Sequence, residues 1–255
     1  MKTKTLIYAH RGARREAAEN TRSAFDRALA YPIDGIETDI QISRDGVCVL
    51  WHDDDLAKLG WPGKRIDEYD LMQLQTMNFA AHFSGAAAER VMRLQDFVAA
   101  YRARCALLLE IKRYPGEPEA QQQAKVRQTL QAAGTGSARM LASSFDLDSL
   151  CYAHHIAPDF PLVLNLEPEH DAVYAQRILR AQPWLYGVCV HIATLDENMV
   201  AAVRERGKRL AVYTCNRDEQ IGRALRLGVD ILISDVPQKA LQVRGTFAKP
   251  REARH

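Results

Sequence analysis

The chain alternates short apolar runs with longer stretches of helical periodicity, and this alternation constrains its fold more than any other feature. Strand-like runs are predicted at 5–9, 34–42, 46–52, 106–111, 139–143, 161–166, 186–190, 209–214 and 230–234. Helical stretches are predicted at 21–30, 94–104, 119–133, 146–155, 171–181, 196–206 and 217–227. Strands that alternate with helices favour a parallel sheet with crossover helices, so the expected fold class is α/β.

Nine strands are one too many for an eight-stranded barrel, and a tight turn at Asp45-Gly46 resolves the count. The runs on either side of this turn must be antiparallel, because parallel neighbours need a long crossover connection. If 46–52 is a return strand, eight parallel strands remain, and we expect a single (β/α)8 TIM-barrel domain over 1–255. A doubly wound open sheet is the alternative, but no Gly-x-Gly-x-x-Gly follows a strand.

Two segments depart from the alternation. Residues 53–90 contain Gly60-Trp61-Pro62-Gly63 and a short helix-like run at 67–77, and they follow the second strand. We expect this insertion to be too small to bury a hydrophobic core of its own, so we interpret it as a lid over the barrel mouth. Residues 243–255 are polar and basic without periodicity, and we expect a disordered tail there.

Composition excludes several classes of partner. With 34 basic and 32 acidic residues the net charge is only +2, so neither nucleic acid nor an anionic membrane is an expected partner. The five cysteines are scattered and include no Cys-x-x-Cys, as is typical of packed, reduced thiols. The N-terminal apolar run is too short for a signal sequence, and no run approaches the roughly 18 residues of a membrane span. We expect a cytoplasmic protein without stable membrane association, and a homodimer remains possible.

Charged residues gather where three predicted strands end. His10-Arg11-Gly12 ends the first strand, Glu37-x-Asp39 lies in the second, and Glu110-x-Lys112 ends the third strand of the barrel. In a TIM barrel these ends meet at one rim, and side chains two apart on a strand share a face. Three converging carboxylates repel one another unless a cation lies between them, and all-oxygen ligation suits Mg²⁺ or Ca²⁺. A solvated strand face is the alternative for Glu37-x-Asp39 alone.

The hairpin turn decides where His52 lies. A two-residue loop at Asp45-Gly46 would place His52 directly opposite Asp39, at the edge of the carboxylate group. A three-residue loop would place it opposite Thr38, facing away. We expect the two-residue loop.

The loop after the first strand offers further polar groups. Arg11 suits bidentate phosphate binding, and Gly12 allows close backbone approach. Thr21 is the expected N-cap of the following helix, whereas Glu19 is expected to face the site.

The motifs occur in the order typical of one known family. They are His10-Arg-Gly, Glu19-Asn-Thr, Glu37-Thr-Asp39, His52-Asp53, Glu110-Ile-Lys112, Ser144-Phe145, Tyr213-Thr-Cys-Asn216 and Gly228-Val-Asp-Ile-Leu-Ile-Ser-Asp235. Together they resemble the glycerophosphodiester phosphodiesterases from residue 8 to about 240. The resemblance implies a (β/α)8 barrel with a small insertion after its second strand. It also implies metal-dependent hydrolysis of small glycerophosphodiesters to glycerol 3-phosphate and an alcohol.

The resemblance also implies a role for each matching residue. Glu37, Asp39 and Glu110 would bind the metal, while His10 and His52 would be the general acid and base. Arg11 and Lys112 would contact the phosphate. Glu19 is expected to bind substrate, and Tyr213, where the family commonly has Trp, to form a wall of the glycerol pocket.

Two alternative functions remain beside this one. A lysophospholipase D-like enzyme would favour an exposed apolar rim and secretion with disulfides, which the sequence does not indicate. A non-catalytic phosphoester-binding barrel would not need a pair of histidines beside three carboxylates, so these residues argue against it. The roles of Trp61 and His191, as packing or pocket residues, stay open.

Overall fold

The computed structural model describes residues 4–247 and forms a closed barrel. Its strands are β1 Leu6–His10, β2 Gly35–Ile42, β3 Cys48–Leu50, β4 Ala106–Ile111, β5 Met140–Ser144, β6 Leu162–Leu166, β7 Gly187–His191, β8 Arg209–Tyr213 and β9 Ile231–Ser234. All but β3 are parallel to their neighbours, and β1 pairs with both β2 and β9. The eight parallel strands therefore close on themselves, which confirms the expected (β/α)8 fold.

Strand β3 pairs antiparallel with the end of β2, but not in the expected register. Ile40 pairs with Leu50 and Ile42 with Cys48, and the Ser43 amide donates to the Val47 carbonyl. The loop is therefore three residues long, and the predicted two-residue loop is wrong. The Ser43 hydroxyl explains the difference, because it donates to Asp45 and accepts from the Val47 amide, which stabilises the longer turn.

Helices surround the barrel. They are α1 Arg22–Ala28, α2 Leu71–Leu74, α3 Leu94–Tyr101, α4 Glu119–Ala133, α5 Leu147–Ile156, α6 Ala172–Ala181, α7 Glu197–Arg204, α8 Asp218–Leu227 and α9 Pro237–Phe247. Side chains cap several of their N-termini, as expected for Thr21, which accepts from the Ala24 amide. Within residues 4–247, no helix is long and apolar enough to cross a membrane.

Helix α9 was not predicted from the sequence. It extends to Phe247, so residues 243–247 of the expected disordered tail belong to a helix instead. Arg244 of this helix donates to the Thr5 carbonyl and pairs with Asp34. These contacts hold the helix against the residues that directly precede β1 and β2. Residues 248–255 of the expected tail lie outside the described part of the chain.

The barrel interior is filled by a small apolar layer at its base. Tyr8 is fully buried there, and its ring lies against Gly35, where a Cβ atom would stand only 2.6 Å from the ring. A glycine is therefore required opposite this tyrosine. A larger cluster packs between the strands and the helices and includes Phe25, Phe97 and Leu107.

A small apolar cluster joins the insertion to the return strand. Trp51 is 2% exposed at its centre and packs edge-on against Phe79 at 5.3 Å. Leu56 and Leu74 complete the cluster, and the Trp51 indole donates to the Asp55 carbonyl. Since Trp51 lies outside 53–90, the insertion does not form this cluster alone. Trp61 is half exposed on the outside, with its ring edge against Tyr69.

Candidate active site

Three strand ends bring three carboxylates together at the C-terminal rim of the barrel. Strand pairing places His10 beside Glu37 and Asp39 beside Glu110. One carboxylate oxygen from each of Glu37, Asp39 and Glu110 lies within 4.8 Å of the others. The side chains expected to form a metal site therefore meet in space.

The carboxyl groups of Glu37 and Asp39 are both buried, but their pKa values shift in opposite directions. Burial and the two neighbouring carboxylates raise the pKa of Glu37 well above its usual range. Burial also favours a raised pKa for Asp39, but Arg11, the other cationic neighbours and the hydrogen bond from Asn20 together outweigh it and hold that pKa well below its usual range. The Arg11 Nε lies 3.0 Å from Asp39 Oδ2, and this proximity explains the difference.

The carboxylate cluster fits a divalent cation. Within residues 4–247, Glu37 Oε1 and Asp39 Oδ1 are buried without a hydrogen-bond partner. Their second oxygens are held, since Glu37 Oε2 accepts from the Arg11 amide and Asp39 Oδ2 from Asn20 Nδ2. Glu110 differs, because Asn165 Nδ2 donates to its Oε2 and Lys112 Nζ to its Oε1. Three anionic carboxylates, two of which have an unpaired buried oxygen, match the preference of Mg²⁺ and Ca²⁺ for oxygen ligands.

His10 lies at the centre of the rim and is held by Asp235. Its Nδ1 lies 2.6 Å from Asp235 Oδ1, and its Nε2 lies 3.8 Å from Glu37 Oε2. Asn216 Nδ2 donates to the other Asp235 oxygen. Burial lowers the pKa of His10, and Arg11 lowers it further, so the neutral imidazole is favoured.

The backbone after His10 turns sharply. Arg11 and Gly12 have φ values of 55° and 81°, and a Cβ at Gly12 would stand 2.6 Å from the Ala24 backbone. Glycine is therefore required where the loop passes α1. The turn directs the Arg11 side chain back toward Asp39.

His52 also reaches the site, although the hairpin register differs from the expected one. Regular pairing of β3 ends at Leu50, and the chain then leaves the ladder after the Trp51 amide donates to the Asp39 carbonyl. The His52 imidazole lines the same cavity as His10. Its Nδ1 lies 2.7 Å from Asp53 Oδ1, and Lys58 Nζ lies 2.8 Å from the second Asp53 oxygen.

Cationic side chains border the carboxylates. Lys112 Nζ lies 2.9 Å from Glu110 Oε1 and 3.9 Å from Asp39 Oδ1. Glu19 is surrounded by three cations, with Arg14 Nη2 at 2.6 Å, Lys58 Nζ at 2.7 Å and Arg11 Nη1 at 3.3 Å. In the structure Glu19 therefore holds cations near the site, while its expected contact with substrate stays a prediction.

Two adjoining cavities open at the rim. The deeper one, about 240 Å³, is lined by both histidines, Arg11, Tyr213 and Phe145. Tyr213 packs edge-on against Phe145 at 5.7 Å and against the His191 ring at 5.5 Å, and its hydroxyl donates to the Leu166 carbonyl. The second cavity, about 680 Å³, shares His52, Glu110 and Phe145 with the first. His52 thus stands where the two cavities meet.

Several residues that hold the site were not assigned roles from the sequence. They are Asp235, Asp53, Asn20, Asn165, Asn216 and Lys58. Asp53 and Asp235 lie inside the quoted motifs. Asp53 follows its histidine directly in the sequence, whereas only the fold brings Asp235 to His10. Asn20 lies inside the Glu19-Asn-Thr motif, and its side chain donates to Asp39 and accepts from Thr38.

The fold and the rim site define a TIM-barrel enzyme with a polar active site suited to an anionic substrate. Residues 10–239 match the glycerophosphoryl diester phosphodiesterase family. The chain belongs to this family, and the predicted family and enzyme class are confirmed.

Named relatives and solved structures agree with this assignment. A glycerophosphodiester phosphodiesterase of Bacillus altitudinis is 29% identical, over 94% of this chain and 98% of the relative. One of Caldanaerobacter subterraneus subsp. tengcongensis is 26% identical, over 94% and 98%.

Solved structures also share the fold. The Oleispira antarctica phosphodiesterase has a TM-score of 0.81 and 23% identity, covering 93% of this chain and 96% of its own. A glycerophosphodiester phosphodiesterase of Parabacteroides distasonis has a TM-score of 0.80 and 20% identity, covering 98% and 100%.

Proposed function

We propose that this chain hydrolyses glycerophosphodiesters to glycerol 3-phosphate and an alcohol, with a divalent metal ion, Mg²⁺ or Ca²⁺, bound by Glu37, Asp39 and Glu110. The observation that carries the proposal is the convergence of these carboxylates beside two histidines, each paired with an aspartate. Family membership supports the substrate class. The Oleispira antarctica phosphodiesterase was solved with the product sn-glycerol-3-phosphate, which is the product we propose here.

Proton transfer is assigned to His10 and His52. The P–O bond to the alcohol breaks while a new P–O bond forms, so one proton must leave the nucleophile and another must reach the leaving oxygen. An Nδ1–H bonded to Asp235 or Asp53 leaves Nε2 of that neutral imidazole as the proton acceptor. One neutral histidine then takes the proton of the nucleophile, either water or the glycerol hydroxyl next to the phosphate, and the other, as the imidazolium, protonates the leaving alcohol. Attack by the glycerol hydroxyl gives a cyclic phosphate, which water then opens to glycerol 3-phosphate with the two proton transfers reversed.

Charge stabilisation is assigned to Arg11 and Lys112. A phosphodiester is an unreactive anion, so positive charge around its non-bridging oxygens lowers the barrier. A bound divalent metal would add Lewis-acid stabilisation at one of these oxygens. Tyr213 and Phe145 line the deeper cavity, where the glycerol would lie. Glu19 accepts a hydrogen bond from the Arg11 guanidinium and so fixes its position. The second cavity would receive the alcohol.

A metal-by-substrate activity matrix after EDTA treatment tests the proposal. Glycerophosphocholine and lysophosphatidylcholine would each be assayed without metal and with Mg²⁺ or Ca²⁺. We expect glycerol 3-phosphate from the first substrate only when metal is restored. Faster cleavage of lysophosphatidylcholine would favour the lysophospholipase D-like alternative. No turnover under any condition would favour a binding protein.

A further inference from the structure

A buried ion pair lies behind the proposed phosphate-binding side of the site. Lys125 of α4 and Glu117 of the loop after β4 have fully buried side chains, with Nζ 2.8 Å from Glu117 Oε1. Lys125 Nζ also donates to the Lys112 backbone carbonyl at 2.6 Å. Neither residue has a role in the chemistry described above.

The bond from Lys125 fixes the backbone of Lys112 from one side. From the other side, the Lys112 amide donates to the Ile40 carbonyl of β2 at 3.2 Å. The residue is thus anchored at both of its backbone polar groups. Its side chain leaves this anchored point toward Glu110 and Asp39, so a shift of the carbonyl would carry the ammonium away from the rim.

Folding stability alone does not account for this arrangement. Removing two charges from water is costly, and a buried ion pair is often no more stabilising than apolar side chains of the same volume. The neighbouring buried side chains on α4, such as Val126 and Leu130, show that apolar residues pack well in this layer. A lysine at position 125 does, however, supply a donor that reaches a specific carbonyl.

We infer that Lys125 is a positioning residue, which acts through Lys112 to hold the phosphate-binding ammonium at the rim, with Glu117 as the counter-ion of Lys125. The inference rests on the proposed role of Lys112 in the reaction. The phosphodiester is an anion before the reaction begins, so most of its attraction to the ammonium already exists in the ground state. A displaced ammonium would therefore raise KM more than it lowers kcat.

The test replaces the pair together, because removing Lys125 alone would leave Glu117 buried without a counter-ion. Steady-state kinetics on glycerophosphocholine would compare the wild type with Lys125→Met/Glu117→Leu, with Lys112→Met, and with all three changes combined. We expect the pair variant to lose roughly 10- to 100-fold in kcat/KM, mainly through KM. In the Lys112→Met background the pair change should cause no further loss.

Thr129→Val is the matched control, since Thr129 is buried on the same helix and donates only to the Lys125 carbonyl. Its KM should equal that of the wild type. If the pair variant does not fold, Lys125→Gln/Glu117→Gln, which keeps a polar pair without charge, should show the same rise in KM.

Two results would overturn the inference. The first is a wild-type KM in the folded variants that lack Lys125. The second is an undiminished loss when Lys112 is already Met, which would show that the pair acts elsewhere. Turnover by the wild type tests the proposed function itself, so the two ideas can fail separately.

Discussion

Nδ1 of His10 lies 2.6 Å from Oδ1 of Asp235, although the two residues are 225 positions apart in the sequence. Closure of the barrel creates this contact, because β1 and β9 are neighbours and Ala9 pairs with Ser234. His52 has the same kind of partner in the adjacent Asp53. Both imidazoles are therefore oriented by a carboxylate, one through the fold and one through the local chain.

Replacing Asp235 should impair turnover more than folding. In Asp235→Asn an amide that can either donate or accept replaces the carboxylate, so the tautomer of His10 would no longer be fixed and we expect kcat to fall by about 10²-fold or more. Steady-state kinetics on glycerophosphocholine with restored metal would measure the loss. Asp230→Asn is the control, since Asp230 pairs with Arg204 and Arg209 at the opposite end of β9. Equal losses of kcat in the two variants would contradict the assignment.

Removing either histidine should separate catalysis from metal binding. We expect His10→Ala and His52→Ala each to lower kcat by roughly 10²- to 10⁴-fold, because general acid–base catalysis typically supplies that much. Calorimetric affinity for Mg²⁺ or Ca²⁺ should stay close to that of the wild type. His154→Ala is the control, because this imidazole stacks on Trp184 within the helical layer. Near-normal activity in either site variant would refute its assignment.

Metal binding should stabilise the folded protein. A cation at Glu37, Asp39 and Glu110 would relieve the repulsion that raises the pKa of Glu37, and any ligand that binds only the folded state adds stability. At about 100 times its Kd the gain would be about 2.7 kcal/mol, measured as a rise in Tm after EDTA treatment. Glu110→Gln should reduce this rise, whereas the surface variant Glu119→Gln should retain it. An unchanged Tm in the wild type at millimolar Mg²⁺ and Ca²⁺ would count against the site.

Acid should destabilise the protein partly through Asp235. Burial alone would raise the pKa of Asp235, but His10, Arg14 and Asn216 together outweigh it and lower this pKa from 3.8 to about 2. Since the folded-state pKa lies below the unfolded one, the stabilisation is complete above about pH 4 and is lost as the pH falls through about 2. The shift corresponds to about 2 kcal/mol. Urea unfolding from pH 6 to 2 should show a shallower pH dependence for Asp235→Asn, and identical slopes would contradict this.

Much of the fold could be predicted because the barrel repeats one simple pattern. Each strand is an apolar run followed by a periodic helix, and local sequence defines both. Helix α9 was missed because its order depends on Arg244 binding Thr5 and Asp34, which are distant in sequence. The hairpin register was missed because the Ser43 side chain, not the Asp45-Gly46 pair alone, sets the turn.

The central residues of the site could be predicted, but the residues that hold them could not. Two-residue spacing on strands predicts which carboxylates share a face, as for Glu37 and Asp39. The partners Asp235 and Asn165 come from other strands, and only the closed barrel brings them to His10 and Glu110. The predicted two-residue hairpin loop does not account for the position of His52. The residue reaches the site because the chain leaves the pairing of β2 and β3 after Trp51.

The insertion should depend on Trp51 for its stability. Trp51→Ala would open a cavity in the small cluster between Phe79, Leu56 and Leu74, and we expect a loss of about 3–5 kcal/mol in the free energy of unfolding. Because His52 follows directly, turnover should fall as well. Trp61→Ala is the matched control, since this side chain is 49% exposed and its loss should cost under about 1 kcal/mol. Urea unfolding and steady-state kinetics of both variants would check this. Equal destabilisation by the two changes would show that Trp51 does not organise the insertion.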